Sequence, residues 1–210
     1  VEALNKNAFD GCKGLRKVVF GENITTIGNY AFRGCTALDG ELVIPESVVS
    51  LGSGLFSGCT SLQYVSLPSG IEEIPASLFN GCKSLESVDI PEGVVAIRNY
   101  AFNGCESLTD VVIPAAVETI ENDAFRECKA LKNVTFGENI SYIGNTAFGY
   151  CNAIENVYVS DVAPSEINQS AFTDAVYGNA TLYVPFGCKD IYSATDGWKK
   201  FKNIVEMDMT

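Results

Sequence analysis

The sequence predicts a solenoid of the α/β type: a right-handed superhelix of short coils, with a parallel β-sheet of short strands on one side and short helical turns on the other. Cysteine and phenylalanine recur at a fixed step, each step contains the same apolar pattern, and 47% of the residues are hydrophobic. One short unit cannot bury its apolar side alone, whereas stacked units bury their columns of side chains in a continuous core.

Two residue types define the repeat. Successive cysteines are 23 residues apart, with one gap of 24, at Cys12, Cys35, Cys59, Cys82, Cys105, Cys128 and Cys151. The phenylalanines keep the same step, at Phe9, Phe32, Phe56, Phe79, Phe102, Phe125, Phe148 and Phe172. An extra residue around Gly40 accounts for the longer gap. The repeat length is therefore 23–24 residues.

The first half of each unit has the pattern of a strand. In the unit from Leu85 to Cys105, Leu85, Val88 and Ile90 are apolar and their neighbours are polar. This alternation predicts a short strand with one buried side. Pro91 follows and ends the strand, because proline has no N–H to donate to a ladder.

The second half predicts a further buried segment and a helical turn. Val94 and Ile97 mark the buried segment. Asn99 suits a helix N-cap, and Gly104 suits the left-handed residue that ends one helical turn. Stacked strands about 4.8 Å apart would share hydrogen bonds in a parallel sheet.

The pattern divides the chain into two parts. Residues 1–160 form a solenoid of about seven units, and residues 161–210 form a last divergent unit and a C-terminal cap. Trp198, Phe201 and Val205 are spaced for one side of a helix in that cap. The first residues contain neither a basic region nor an apolar stretch, so we expect no signal peptide in the sequence as given.

Composition argues against several classes of function. The formal net charge of −12 disfavours nucleic acids and anionic lipid surfaces as partners. The absence of histidine removes Ser-His-Asp and Cys-His nucleophiles and imidazole metal sites. No apolar run approaches the roughly 18 residues of a membrane span. We therefore expect that the protein is not an enzyme and that it has no catalytic residue, cofactor or metal site.

The units resemble the BspA-like leucine-rich repeats of anaerobic bacteria. The resemblance rests on the frame LxxVxIPxxVxxIxxxAFxxC, present at Leu85–Cys105 and at Leu108–Cys128. The ending at Asn179–Glu206 is similar to the closing segment of such proteins from gut commensals. Local departures are Glu127 and Tyr150 in place of glycine before cysteine, and Gly21 and Gly137 in place of the strand-ending proline.

The resemblance implies a leucine-rich-repeat superhelix in a secreted or surface-anchored protein. Members of this family are associated with adhesion to host matrix proteins or to other bacteria. The family shares no binding residues, so the resemblance assigns no site to this chain.

The cysteines allow two interpretations, disulfide bonds or a column of buried free thiols. In a stack with matched register, neighbouring Cβ atoms stay nearly one strand spacing apart, beyond the roughly 3.5–4.5 Å of a disulfide. The spacing therefore favours free thiols. Cys188 lies outside the column, and zinc is disfavoured because no CxxC pairs occur.

The carboxylates also allow two interpretations. Glu72 and Glu73, or the set Glu118, Glu121 and Asp123, would suit a general acid/base pair or a calcium site. All of them fall at positions of the repeat that we expect to face solvent, which favours a solvated surface.

The outward positions of the strands are the candidate binding surface. They include Tyr64, Val112, Tyr158 and Tyr183, and the second segment adds Val49, Val95, Ala96 and Tyr142. Tyrosine is favoured at interfaces, and Tyr142, Tyr158 and Tyr183 fall near one another in the repeat. β-propensity alone also explains tyrosine and valine on strands.

Three functions remain open. The first is an extracellular or cell-surface module that adheres to a host or bacterial protein through Tyr64, Val112, Tyr142, Tyr158 and Tyr183. The second is capture of a glycan by tyrosine rings, and the third is a spacer within a larger surface protein.

Overall fold

The computed structural model describes residues 2–208, which form a parallel-strand β-solenoid of about nine turns. One strand of each coil belongs to the front face: β3 (Gly40–Val43), β5 (Leu62–Ser66), β7 (Ser87–Val88), β9 (Asp110–Ile113), β11 (Asn133–Phe136), β13 (Asn156–Val159), β14 (Thr181–Pro185) and β15 (Asn203–Met207). Two-residue strands form the side face: β1 (Ala3–Leu4), β2 (Thr26–Ile27), β4 (Ser50–Leu51), β6 (Glu73–Ile74), β8 (Ala96–Ile97), β10 (Thr119–Ile120) and β12 (Tyr142–Ile143).

The predicted column of phenylalanine rings is confirmed. Rings from successive coils stack with centroids 4.8–5.8 Å apart, from Phe9 through Phe32, Phe56, Phe79, Phe102, Phe125 and Phe148 to Phe172. Leucine, valine and isoleucine from both faces are buried around this column. The core is thus one continuous row of equivalent side chains, as the period of the sequence predicts.

The prediction of a superhelix with short helical turns opposite the sheet is confirmed only in part. Residues 98–104 form tight turns and no helix, and both Tyr100 (φ 60°) and Gly104 (φ 71°) are left-handed. Two residues with a left-handed backbone conformation so close together prevent the hydrogen bonds of a right-handed α-helix. The backbone instead bonds between coils, since the N–H of Phe102 donates to the carbonyl of Ala124 over 2.7 Å. The turns are therefore a third ladder.

Each strand ladder has one interruption within the described chain. On the front face the hydrogen-bonded order is β3-β5-β7 and then β9-β11-β13-β14-β15. On the side face it is β1-β2-β4 and then β6-β8-β10-β12. The turn ladder continues past both breaks, as the bond from the Gly54 N–H to the Ala76 carbonyl shows at 2.8 Å. The coils therefore stay connected along the turns.

The C-terminal residues cover the end of the core. Helix α1 (Asp174–Asn179), helix α2 (Lys189–Ala194) and a 3₁₀ turn (Trp198–Lys200) belong to this region. The predicted helix containing Trp198, Phe201 and Val205 is wrong, because Val205 lies on β15 and pairs with Tyr183. Trp198 and Phe201 are both buried; Phe201 packs against Phe172, the last ring of the column, and Trp198 packs against Phe136 of β11. None of the described helices is long and apolar enough to cross a membrane.

The first coil has a more open core. Phe9 stacks on Phe32 but is 39% exposed, and Cys12 is exposed. A cavity of about 510 Å³ is lined here mainly by apolar side chains, among them Leu4, Leu15, Val18 and Phe20. The side chains of this coil are therefore the least enclosed members of their columns.

Candidate partner-binding surface

An apolar strip runs across the C-terminal half of the front face. It consists of residues that are register partners on consecutive strands: Val112, Thr135, Tyr158, Tyr183 and Val205. Val112 is 63% exposed and Val205 is 46% exposed. Side chains alternate across a strand, so a fixed register places one outward position of each coil in a single row.

Tyr158 and Tyr183 are the centre of the strip. Their rings stack with centroids 4.8 Å apart and an interplanar angle of 13°. Both side chains are half-buried, because each covers the other. A stacked aromatic pair adds about 0.5–1.5 kcal/mol beyond burial, so the two rings form a rigid platform.

A column of polar side chains flanks the strip on the same strands. The amide of Asn133 donates to the carboxylate of Asp110 over 2.6 Å, and the amide of Asn156 donates to the oxygen of Asn133 over 2.8 Å. The bond from Asn133, with a second from Thr109, lowers the pKa of Asp110. These polar groups satisfy one another, which leaves the strip as the apolar part of this surface.

The structure brings together Val112, Tyr158 and Tyr183 but separates the other two candidates. Tyr64 lies on β5, beyond the interruption of the front ladder, where its hydroxyl donates to the Glu86 carboxylate over 2.5 Å. That hydrogen bond raises the pKa of Tyr64. Tyr142 is 44% exposed but lies on β12 of the side face. The expectation of one patch containing Tyr142, Tyr158 and Tyr183 is therefore wrong.

The second segments do not extend the front face as the sequence suggested. Val49 and Val95 are exposed, but they lie beside the two-residue strands of the side face. Ala96, which we expected to point outward, is buried at 6% exposure. The backbone changes direction between the front strand and the side strand of each coil. The alternation of apolar residues in the sequence does not indicate where this change occurs.

Three exposed apolar residues of this half of the chain do not follow the sequence pattern. Val205 belongs to the strip although its spacing predicts a helix, and Phe186 and Val162 fall outside the repeat columns. Phe186 is 78% exposed and Val162 is 66% exposed. Their carbonyl oxygens lie 4.0 Å and 3.9 Å from the sulfur of Cys188, so the two loops meet at that residue. The sequence feature that could have indicated an exposed Phe186 is the Pro185-Phe186 pair at the end of a strand.

Three of the five carboxylates proposed for a cation or an acid/base pair, Glu73, Glu121 and Asp123, take part in ion pairs or hydrogen bonds. Arg98 reaches Glu73 over 2.7 Å and Glu121 over 2.9 Å, joining successive coils. These two carboxylates raise the pKa of Arg98, Glu121 most strongly. Asp123 accepts from Thr146 over 2.6 Å. Within residues 2–208, no group of three or more acidic, cysteine or histidine side chains could hold a metal ion.

The cysteine column consists of free thiols, as the spacing favoured. From Cys35 to Cys151 each repeat cysteine is buried, and each thiol lies 2.9–3.3 Å from the carbonyl oxygen of the phenylalanine one coil earlier. Burial raises the pKa of Cys59 to about 12. Such thiols are poor nucleophiles and poor metal ligands at neutral pH, because the thiolate is the reactive form.

Comparisons with known proteins give one family and one fold. The family model described as BspA type leucine rich repeat region matches residues 2–114 and 95–194, with six copies. A leucine-rich repeat protein of T. pallidum is 24% identical with a TM-score of 0.63, and the match covers 92% of this chain and 82% of that one. The pneumococcal vaccine antigen PcpA is 18% identical with a TM-score of 0.58, covering 99% and 67%. No curated protein matches significantly.

Proposed function

The chain belongs to the BspA-type leucine-rich repeat family, and from that premise we propose that it is a non-enzymatic module that binds a protein partner at the cell surface or outside the cell. Repeat solenoids of this kind present extended, rigid surfaces that suit protein recognition. The family and the fold support a module for protein interaction. The choice of surface and partner rests on the front face.

The single observation that carries the proposal is the apolar strip. Val112, Thr135, Tyr158, Tyr183 and Val205 form a row on five consecutive strands, and four of these five exposed or half-exposed side chains are apolar or aromatic, which is unusual on a surface that no other part of residues 2–208 covers. Tyrosine contributes large contact area at low entropic cost, and contact residues of this type dominate binding energy. The partner we propose has a complementary apolar ridge.

A glycan is the weaker alternative ligand. Sugars bind to the open faces of aromatic rings, whereas the rings of Tyr158 and Tyr183 stack on each other and each hides one face. The exposed tyrosines outside the strip are spread over the solenoid: Tyr64 on the front face, Tyr142 on the side face, and Tyr30, Tyr100 and Tyr150 in the turns. This arrangement favours a protein ligand over a sugar. No feature of the coils specifically favours a spacer.

The test compares two double variants of the chain. Tyr158→Thr with Tyr183→Thr removes the platform and copies the neighbouring Thr135, so strand propensity is preserved. Tyr64→Thr with Tyr142→Thr is the matched control, because it removes two exposed tyrosines outside the strip. The chain is screened against arrayed host matrix proteins, bacterial surface proteins and glycans, and each ligand found is titrated with both variants.

We expect a protein ligand whose affinity falls by about tenfold or more in the Tyr158/Tyr183 variant, by the usual cost of removing a central aromatic contact. The control variant is expected to bind like the original chain. Binding to glycans alone, or a loss confined to the control variant, would overturn the assignment of the strip.

A further inference from the structure

The outer edge of β15 is a second surface that the proposed function does not use. Strand β15 stands at the end of the front ladder, so it pairs with β14 on one side and with no strand of residues 2–208 on the other. The cap buries Trp198 and Phe201 at the end of the core but adds no strand beyond β15. An unpaired strand edge is a template for another extended chain.

A basic cleft lies along this edge. Its volume is about 340 Å³, and residues of α2 and of the segment leading into β15 line it. The lining contains three lysines and no carboxylate: Lys189, Ser193, Lys199, Phe201, Lys202, Asn203, Ile204 and Val205. The three lysines are exposed. A chain with a net charge of −12 thus presents a local positive surface beside its open strand edge.

Two of the lysines have no internal counter-charge within the described chain. Lys199 forms an ion pair with Asp196, while Lys189 and Lys202 form none among residues 2–208. The start of α2 is held against β15, because the backbone N–H of Lys189 donates to the Glu206 carboxylate over 3.1 Å. The lysine side of the cleft therefore has a fixed position relative to the strand.

We propose that the β15 edge and this cleft bind an extended acidic segment of a partner protein, which adds to the front face as one more strand. Backbone hydrogen bonds to the free edge supply affinity, and carboxylates at alternate positions of the segment meet the lysines. A second copy of this chain is disfavoured as the occupant, because pairing two β15 edges brings two sets of lysines together. This site goes beyond the proposed function, because it uses the backbone edge of β15 and the lysines, whereas the strip binds through outward side chains; Val205 is the one strip residue that also lines the cleft.

The first experiment uses synthetic peptides and the whole chain. A fluorescein-labelled Thr-Glu-Val-Glu-Thr-Glu-Val-Glu peptide is titrated by fluorescence anisotropy. One comparison peptide has lysine in place of every glutamate, and another has proline in place of every valine. We expect the acidic peptide to bind, the lysine peptide not to bind, and the proline peptide to bind about tenfold more weakly or worse, since it cannot donate the strand hydrogen bonds.

The second experiment uses paired charge variants. Lys189→Glu with Lys202→Glu is expected to raise the Kd of the acidic peptide about tenfold or more. Lys83→Glu with Lys129→Glu makes the same change in net charge beside Glu106, away from the cleft, and is expected to change the Kd less than about twofold. The emission of Trp198 in the cap confirms folding of each variant.

Three outcomes overturn the proposal: absence of binding by the acidic peptide, equal binding of the proline peptide, or an equal loss in the two charge variants. Equal binding of the proline peptide would mean electrostatic attraction without strand addition. The Tyr158→Thr/Tyr183→Thr variant is expected to bind the acidic peptide normally, so a failure here is distinct from a failure of the proposed function.

Discussion

The thiol of Cys105 donates a hydrogen bond to the backbone carbonyl oxygen of Phe79, one coil earlier, with 3.3 Å between sulfur and oxygen. The same oxygen accepts the backbone N–H of Cys82 over 3.0 Å. Valine at position 105 would fill the space but provide no donor, and alanine would provide neither the volume nor the donor. A small, apolar side chain with a weak donor suits this site, which explains why cysteine recurs in six successive coils from Cys35 to Cys151.

The cysteine column is therefore expected to contribute to stability. Cys105→Ala removes a fully buried sulfur and its hydrogen bond, which should lower the free energy of unfolding by about 1–3 kcal/mol. Cys12→Ala is the control, because Cys12 is exposed, and we expect a change within about 0.5 kcal/mol. Urea unfolding followed by circular dichroism measures both. Equal effects of the two variants would contradict the structural role of the column.

Alkaline pH is expected to destabilise the fold. Burial raises the pKa of Cys59 from 9.0 to about 12, and that of Tyr177 from 10.0 to about 12. Between pH 9 and 12 the unfolded chain releases protons that the folded chain retains, so the free energy of unfolding falls as pH rises. Below pH 9 these groups are protonated in both states and their contribution is complete.

Urea unfolding at a series of pH values from neutral to alkaline, under a reducing agent, tests this dependence. The Cys59→Ala variant is the control and should lose part of the alkaline slope. A free energy of unfolding that stays constant above pH 9 would contradict the raised pKa of the buried thiols.

The features that follow from the period could be predicted from sequence, and those that depend on corners and pairing could not. The ring column and the Tyr158–Tyr183 pair follow from equal spacing, because equivalent residues of successive coils must lie one above the other. Tyr142 was misplaced because a corner separates the two strands of each coil. Val205 was misplaced because a spacing of three and four residues mimics a helix, whereas its partner Tyr183 lies in a different segment.

The turns show a further limit of sequence patterns. The segment around Asn99 has a residue that favours a helix N-cap, but tertiary hydrogen bonds between coils determine its backbone. Tyr100 is left-handed although its side chain disfavours that conformation. Hydrogen bonds to the neighbouring coils offset the cost of the left-handed conformation at Tyr100. The sequence of a single unit does not reveal these bonds.

The residue before each repeat cysteine has a left-handed backbone conformation. Introducing glycine there should raise the free energy of unfolding, and removing glycine should lower it. Glu127 (φ 61°) occupies a position that is Gly104 (φ 71°) one coil earlier. Glu127→Gly relieves backbone strain and should raise the free energy of unfolding by about 0.5–1 kcal/mol, while Gly104→Ala should lower it by about 1 kcal/mol. The added Cβ at Gly104 would meet its nearest atom, the Cα of Gly81, at an ordinary 3.6 Å, so strain alone sets the cost.

The control for this series is Gly14→Ala. Gly14 does not have a positive φ, and an added Cβ would meet no atom within 4 Å. We therefore expect no loss of stability there. Thermal and urea unfolding of the three variants measure the order of stability. A stabilising Gly104→Ala, or a destabilising Glu127→Gly, would show that the left-handed turn does not carry the strain assigned to it.

Pro75 accounts for one of the hydrogen bonds that are missing where the side ladder is interrupted. The N–H of Gly52 donates to the Ile27 carbonyl over 2.7 Å, and the N–H of Arg98 donates to the Ile74 carbonyl over 3.0 Å. Pro75 holds the matching position between them and has no N–H. A cleft of about 410 Å³ lies at this point, lined by residues of β4 and β6.

Pro75→Gly should supply the missing donor to the Leu51 carbonyl and close the break. Glycine is the suitable replacement, because a Cβ at the matching Gly52 would lie only 2.3 Å from the backbone nitrogen of Asn29. We expect slower hydrogen–deuterium exchange in peptides covering β4 and β6, measured by mass spectrometry. Pro68→Gly, at the end of β5, is the control and should leave exchange in β4 and β6 unchanged. Unchanged or faster exchange in the Pro75→Gly variant would mean that the backbones are held apart by something other than the missing N–H.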